Sequence, residues 1–265
     1  MISILLMYCA VGAAAGVLAG LLGIGGGLVI VPMLAFCLAR QGAAPEAIMH
    51  LALGTSMASI MFTSVSSFLA HNRRGAVEWR IVARITPGVL LGTYLGSCVA
   101  ASMSSQALRI VFVVFLYYVA TQMLLNKKPA SSRTTPGRVG MFLVGNVVGG
   151  VSSLVGIGGG TLSVPFMLWC NIPIHRAIGT SAAIGFPIAI AGTAGYIANG
   201  LAGTAAPEYS LGYIYLPALA GIVGVSVLTA PLGVRLAHSL PVDNLKKAFA
   251  ILLYVVGTRM LVSLL

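Results

Sequence analysis

Apolar residues run in long blocks, broken by short polar or glycine-bearing stretches, along the whole of this 265-residue chain. In the first half the blocks cover about 3–22, 28–39, 47–70, 82–101 and 106–125. In the second they cover about 139–156, 161–170, 177–199, 212–234 and 245–265. A helix needs about 20 apolar residues to cross the hydrocarbon of a bilayer. The second block of each half, with ten to twelve residues, is too short to span alone. Each is joined to the block before it by the same five residues, GIGGG, at 23–27 and 156–160. The pattern predicts an all-α polytopic membrane protein. Each GIGGG marks the tip of a broken or re-entrant helix hairpin that stops inside the membrane.

The blocks repeat as well. GIGGGLVIVPM at 23–33 matches GIGGGTLSVPF at 156–166, and the same offset places Cys37 on Cys170. LGTS at 53–56 matches IGTS at 178–181, and LYYVATQML at 116–124 matches LYVVGTRML at 253–261. Pro87 is paired with Pro217, each expected to open an apolar helix. Matches that keep one order along the chain indicate a duplication. They divide it into a first transmembrane repeat (1–125), a linker (126–138) and a second repeat (139–265). The first block lacks a charged leader region and runs on into a glycine cluster, so it is read as a retained helix rather than a cleaved signal.

Composition sharpens this picture. Hydrophobic residues make up 58% of the chain and charged ones 7%, with a mean hydropathy of +1.02. Soluble domains carry about 25% charged residues, so a soluble enzyme, a nucleic-acid module and a disordered chain are excluded. The net charge of +11 reads as a topology signal, because basic residues collect in cytoplasmic loops. The one sustained polar stretch, NKKPASSRTTPGR at 126–138, has four basic and no acidic residues and is assigned to the cytoplasm. Alternate crossings then put Arg73, Arg74, Arg80, Arg84, Lys127, Lys128, Arg133, Arg138, Arg176, Arg235, Lys246 and Lys247 on that side, and only Arg40, Arg109 and Arg259 on the other. Both termini are expected outside. Matching loops carry opposite charge character: 71–80 is basic where 200–211 has no Lys or Arg, and 101–106 is neutral where 235–247 is basic. The two repeats are therefore expected to be inverted, an architecture of secondary transporters.

The candidate chemistry is correspondingly sparse. Glu46, Glu78, Glu208 and Asp243 fall at loops or helix ends, so hydrolysis and phosphoryl transfer lack their carboxylates. No cofactor or metal site is expected. Cys9, Cys37, Cys98 and Cys170 lie in apolar blocks without a CxxC pair, which argues against zinc or a disulfide framework. Gly25, Gly26 and Gly27, and Gly158, Gly159 and Gly160, open short helices whose first N–H groups lack partners and carry the positive end of the dipole. Two such ends converging near the midplane make an anion site without Lys or Arg. Thr161 would add a hydroxyl donor, and Thr55, Ser56, Thr180 and Ser181 would line the same site. Close packing alone is the rival reading of GIGGG. Bonding to the i−4 carbonyl is the rival reading of the hydroxyls.

Asn146, Asn199, Cys37 and Cys170 are weaker candidates for the lining, and His50 is the best titratable candidate for a proton carrier. His71, His175 and His238 are assigned to basic loops with no special role. A bulky residue at Gly26 or Gly159 is expected to abolish anion binding while leaving the fold intact. Glycine-rich faces such as Gly12-Gly16-Gly20 and Gly92-Gly96 suit close helix packing and would permit a homodimer.

The doubled GIGGG-x4-P followed by LGTS or IGTS resembles the TauE/SafE-type sulfite exporter (TSUP) family, over nearly the whole chain. The resemblance implies a bacterial or archaeal inner-membrane permease for sulfite, sulfoacetate or a related organosulfonate, driven by ion gradients and without an ATPase domain. It carries the glycines of both motifs and the residues Thr55, Ser56, Thr180 and Ser181 as site positions. The reading of the chain is a secondary transporter, exporting a small sulfur anion through the lipid bilayer by alternating access. A passive anion channel on the same fold is the alternative.

Overall fold

The computed structural model describes residues 2–125, 134–201, 207–239 and 242–262; most of the expected linker lies outside them. The helices, in chain order, are α1 (Ile2–Leu22), α2 (Gly27–Arg40), α3 (Pro45–Asn72), α4 (Trp79–Ser102), α5 (Ser105–Leu125), α6 (Arg138–Val155), α7 (Gly160–Trp169), α8 (Ile174–Leu201), α9 (Leu216–Ser239) and α10 (Val242–Val262). A short antiparallel pair, β1 (Ser210–Leu211) and β2 (Ile214–Tyr215), precedes α9. Among the described residues seven helices are long and apolar enough to cross a membrane, and α2 and α7 are shorter. At a rise of about 1.5 Å per residue, α2 with its 14 residues and α7 with its 10 reach only part of the way across. Both are half-helices, in agreement with their short apolar blocks.

Small residues decide which helices touch. On α1, a Cβ at Gly12 would meet the backbone of Ile222, one at Gly16 that of Ser226 and one at Gly20 that of Ala230. On α4, Gly88, Gly92 and Gly96 meet Phe142, Asn146 and Gly150 of α6 in the same way. Helices in lipid gain from such close approach because burial of apolar surface no longer drives them together. The first helix of each repeat thus packs, parallel, on the fourth helix of the other. These glycine faces are consumed by packing inside the chain.

The same register fixes the relation between the repeats. In the pair α3 and α8, Gly54 lies by Tyr196, Met57 by Gly192 and Ser64 by Gly185, so these equivalent helices run antiparallel. In α5 and α10, Tyr117 is hydrogen-bonded to Thr258 at 2.8 Å and Thr121 to Tyr254 at 2.6 Å, again antiparallel. Equivalent helices that oppose each other require a pseudo-two-fold axis perpendicular to the bundle, which makes the repeat inverted. The pair α3 and α8 forms the centre: 83% and 78% of their apolar windows are buried, against 39–50% for the other spans. The outer helices turn Leu6, Val114, Val139, Val147 and Leu228 outward, as a lipid-facing surface requires.

Three expectations need correction. Pro87 lies inside α4, whereas Pro217 is the second residue of α9. Gly145 packs on Ile85 as its counterpart Gly12 packs on Ile222, and Gly149 on Val89 as Gly16 on Ser226, so Ile85 corresponds to Ile222 and the two prolines are not equivalent. Residues 212–215, read as the start of an apolar helix, form a turn and strand instead, with Gly212 at φ 56° and Pro217 fixing the helix start behind it. His71 is not a loop residue: it is buried in the last turn of α3, with Nε2 2.9 Å from the Gly20 carbonyl. Tyr196, its counterpart on α8, donates to the Ser153 carbonyl at 2.9 Å. Each closes the end of a first helix, where carbonyls lack intrahelical donors.

Candidate functional site

The two GIGGG segments cross at the pseudo-axis. Gly23 packs on Gly160, Gly25 on Gly158 and Gly27 on Gly156, an antiparallel set whose central pair sits on the axis. A Cβ on Gly25 would come within 3.2 Å of the Gly158 Cα, so side chains are excluded at the crossing. The Gly158 N–H donates to the Ile24 carbonyl at 3.1 Å, tying one segment to the other. Gly26 and Gly159 cap α2 and α7 in the left-handed region, at φ 81° and 78°, where glycine avoids the Cβ penalty. A side chain at Gly26 would also sit 2.7 Å from the Ala15 carbonyl. A bulky residue there therefore disturbs the fold itself, contrary to the expectation that it would spare it.

The GTS motifs hold this crossing from both sides. Ser56 donates to the Gly156 carbonyl at 2.8 Å, and Ser181 donates to the Gly23 carbonyl at 3.1 Å. Thr55 Oγ1 accepts the Tyr215 N–H and Thr180 Oγ1 accepts the Glu78 N–H, both at 2.9 Å. All four bonds run between repeats, and each has its symmetric partner. Ser163 of α7 adds a bond to Ser181 at 3.0 Å. The structure brings the glycines of both segments and Thr55, Ser56, Thr180 and Ser181 together around the crossing. In this conformation the hydroxyls serve backbone groups, neither lying open nor bonding one turn back within their own helix.

A crevice too narrow to admit water adjoins the crossing, lined by Ala19, Gly23, Gly25, Ser64, Ser67, Ala182 and Gly185. The counterparts of Ala182 and Gly185 in the first repeat are Met57 and Ile60, and Met57 Sδ lies 3.0 Å from where a Gly192 Cβ would be. Small residues line one side of the crossing where the other carries larger ones. Ser64 and Ser67 escaped the sequence reading. Their signal was a pair of hydroxyls nearly one turn apart, following GTS on the same helix.

Other predicted residues lie elsewhere. His50 is buried near the start of α3, with Nδ1 3.1 Å from the Glu46 carbonyl and Nε2 3.1 Å from that of Ala100. A neutral imidazole donates to one of them at a time. Cys37 and Cys170 are buried at the ends of α2 and α7 away from the crossing. Asn146 packs on Gly88 and Gly92, and Asn199 donates to the Gly195 carbonyl at 2.7 Å near the end of α8. Charge divides between the ends of the bundle. Arg176 pairs with Glu78 at 2.7 Å and Arg74 reaches the Val234 carbonyl at one end, while Arg40 and Arg259 flank Phe36 at the other.

Comparison with known proteins places this architecture. The description "Sulfite exporter TauE/SafE" matches residues 8–260. The chain is 39% identical over 261 residues to a probable membrane transporter protein of Haemophilus influenzae, covering 98% of this chain and 99% of that one. A probable membrane transporter protein of Methanocaldococcus jannaschii is 27% identical over 95% of this chain and 93% of its own. No solved structure matches. With its inverted helical repeats, apolar exterior and carboxylate-poor interior, the chain belongs to the TauE/SafE sulfite exporter family and is a multi-pass membrane transporter rather than an enzyme.

Proposed function

We propose that the protein is a secondary transporter of the cell (inner) membrane that exports a small sulfur-containing anion, such as sulfite or an organosulfonate like sulfoacetate. The observation that carries this reading is the crossing of two glycine segments, deep in the bundle, from which two half-helices start. Their N-terminal N–H groups offer positive potential to an anion where the chain supplies no Lys or Arg. Gly25, Gly26, Gly27, Gly158, Gly159, Gly160 and Thr161 form the site, and Thr55, Ser56, Thr180 and Ser181 hold it. The basic end of the bundle faces the cytoplasm, following the positive-inside rule, and both termini face outward. Transport follows from rocking one repeat against the other, so that the crevice beside Ser64 and Ser67 and its counterpart across the pseudo-axis open in turn.

The test is thermal unfolding of detergent-purified protein with sulfite, sulfate, thiosulfate, sulfoacetate, taurine and chloride. One-site binding at 100 times Kd stabilises by about 2.7 kcal/mol, enough to raise Tm visibly. A shift selective for a sulfur anion is expected. No shift with any anion would remove the support for this substrate class.

A further inference from the structure

The pseudo-symmetry of the crossing breaks at two buried hydroxyls. Ser152, four residues before Gly156, and Thr161, in the first turn of α7, are 0% and 5% exposed. Neither hydroxyl has a hydrogen-bond partner among the described residues. Serine and threonine inside a helix ordinarily bond back to a carbonyl one turn earlier, as Ser59, Thr63 and Thr86 do here. Ser152 makes no such bond: its Oγ lies 3.5 Å from where a Cβ of Gly159 would be, pointing at the cap of α7. Thr161 has only the irregular glycine segment one turn behind it, so a helical carbonyl is out of reach. In the first repeat the corresponding residues are Ala19 and Leu28, which have no hydroxyl to satisfy. The other unpartnered hydroxyls at α4 and α6, Thr93 and Ser153, lie along the α4–α6 seam against Gly149 and Gly96.

A buried hydroxyl without a partner destabilises a fold. Two beside the same helix N-terminus point to an acceptor that arrives from outside. We infer that the two glycine segments are not equivalent: the second repeat alone supplies side-chain donors, Ser152 and Thr161, and these select an oxyanion held at the N-terminus of α7. The first repeat closes the site with backbone and apolar groups. This inference rests on the anion-transporter reading and adds the residues that confer its preference. A halide accepts from the same donors less directionally than an oxyanion with several oxygens, so selectivity against chloride follows from the pair.

The test compares wild-type protein with Ser152→Ala and Thr161→Val in sulfite binding, read by Tm shift and equilibrium titration, with chloride as the competitor. Each variant is expected to bind sulfite roughly tenfold or more weakly, because a hydrogen bond to a charged group is lost. Without sulfite each variant should melt at or above the wild-type temperature, because an unsatisfied group has been removed. Thr86→Ala, whose hydroxyl bonds the Val82 carbonyl one turn back at 2.7 Å, is the comparison and should keep its affinity. Wild-type affinity in both variants would overturn the inference and leave the transporter reading in place. Weaker binding accompanied by a lower Tm without sulfite would also overturn it, since the hydroxyls would then be structural. Absence of sulfite binding by the wild type would overturn the reading beneath it.

Discussion

Ser56 and Ser181 sit at the same place in two repeats, and each bonds a carbonyl of the opposite glycine segment. Replacing either by alanine leaves a buried carbonyl without its donor, which costs about 1–3 kcal/mol. Ser56→Ala and Ser181→Ala are each expected to lower Tm in detergent, and unchanged melting of both would show that the crossing is held by packing alone. Thr55 and Thr180 accept N–H groups from the turns before α9 and α4, so the GTS motif joins the repeats through both of its hydroxyls. These roles were not legible in the sequence. Symmetric placement beside GIGGG identified the residues, but a hydroxyl on an apolar helix carries no mark of whether it serves an anion or a carbonyl on another helix. His50 is proposed as a proton carrier, buried between two carbonyls. On that proposal His50→Ala should flatten the pH dependence of sulfite flux, and an unaltered pH profile would show that the ring is not the carrier.

At the scale of the elements, hydropathy made the helices legible because lipid requires an unbroken apolar block for each crossing. The block assigned to 47–70 became α3 at 45–72, and that at 28–39 became α2 at 27–40. The short antiparallel pair at 210–215 was missed, because two-residue strands held by a turn leave no periodicity to read. The equivalence of Pro87 and Pro217 failed because the offset between repeats is 133 residues at the glycine segments but 137 at the fourth helices. A lone proline could not show that change. The glycine spacing of α1 and α4 marks them for close packing, but sequence does not say which helix fills each groove; here α9 and α6 do. Gly16→Leu and Gly92→Leu push a side chain into the backbones of Ser226 and Asn146. Each is expected to cost about 1–3 kcal/mol or more, seen as a lower Tm or loss of monodisperse protein. Normal melting of both would contradict the seams.

The whole molecule is two interlocked repeats. The first helix of each packs on the fourth of the other, the third helices form the centre, and the glycine segments meet on the axis. On the proposed rocking motion, the bonds that tie the repeats at the crossing, such as Gly158 N–H to the Ile24 carbonyl and Ser56 to the Gly156 carbonyl, must be exchanged as one half turns against the other. Its charge division predicts sidedness. In whole cells a membrane-impermeant thiol reagent should label Arg40→Cys and spare Arg74→Cys, with unsubstituted protein setting the background; labelling of Arg74→Cys from outside would reverse the proposed orientation. Carrier-mediated movement of a sulfur anion, as proposed, should show trans-stimulated flux in proteoliposomes. Vesicles loaded with unlabelled sulfite should take up labelled sulfite faster than empty vesicles, and the rate should saturate. A non-saturating flux, indifferent to internal sulfite and accompanied by ohmic current, would contradict the carrier and leave a channel.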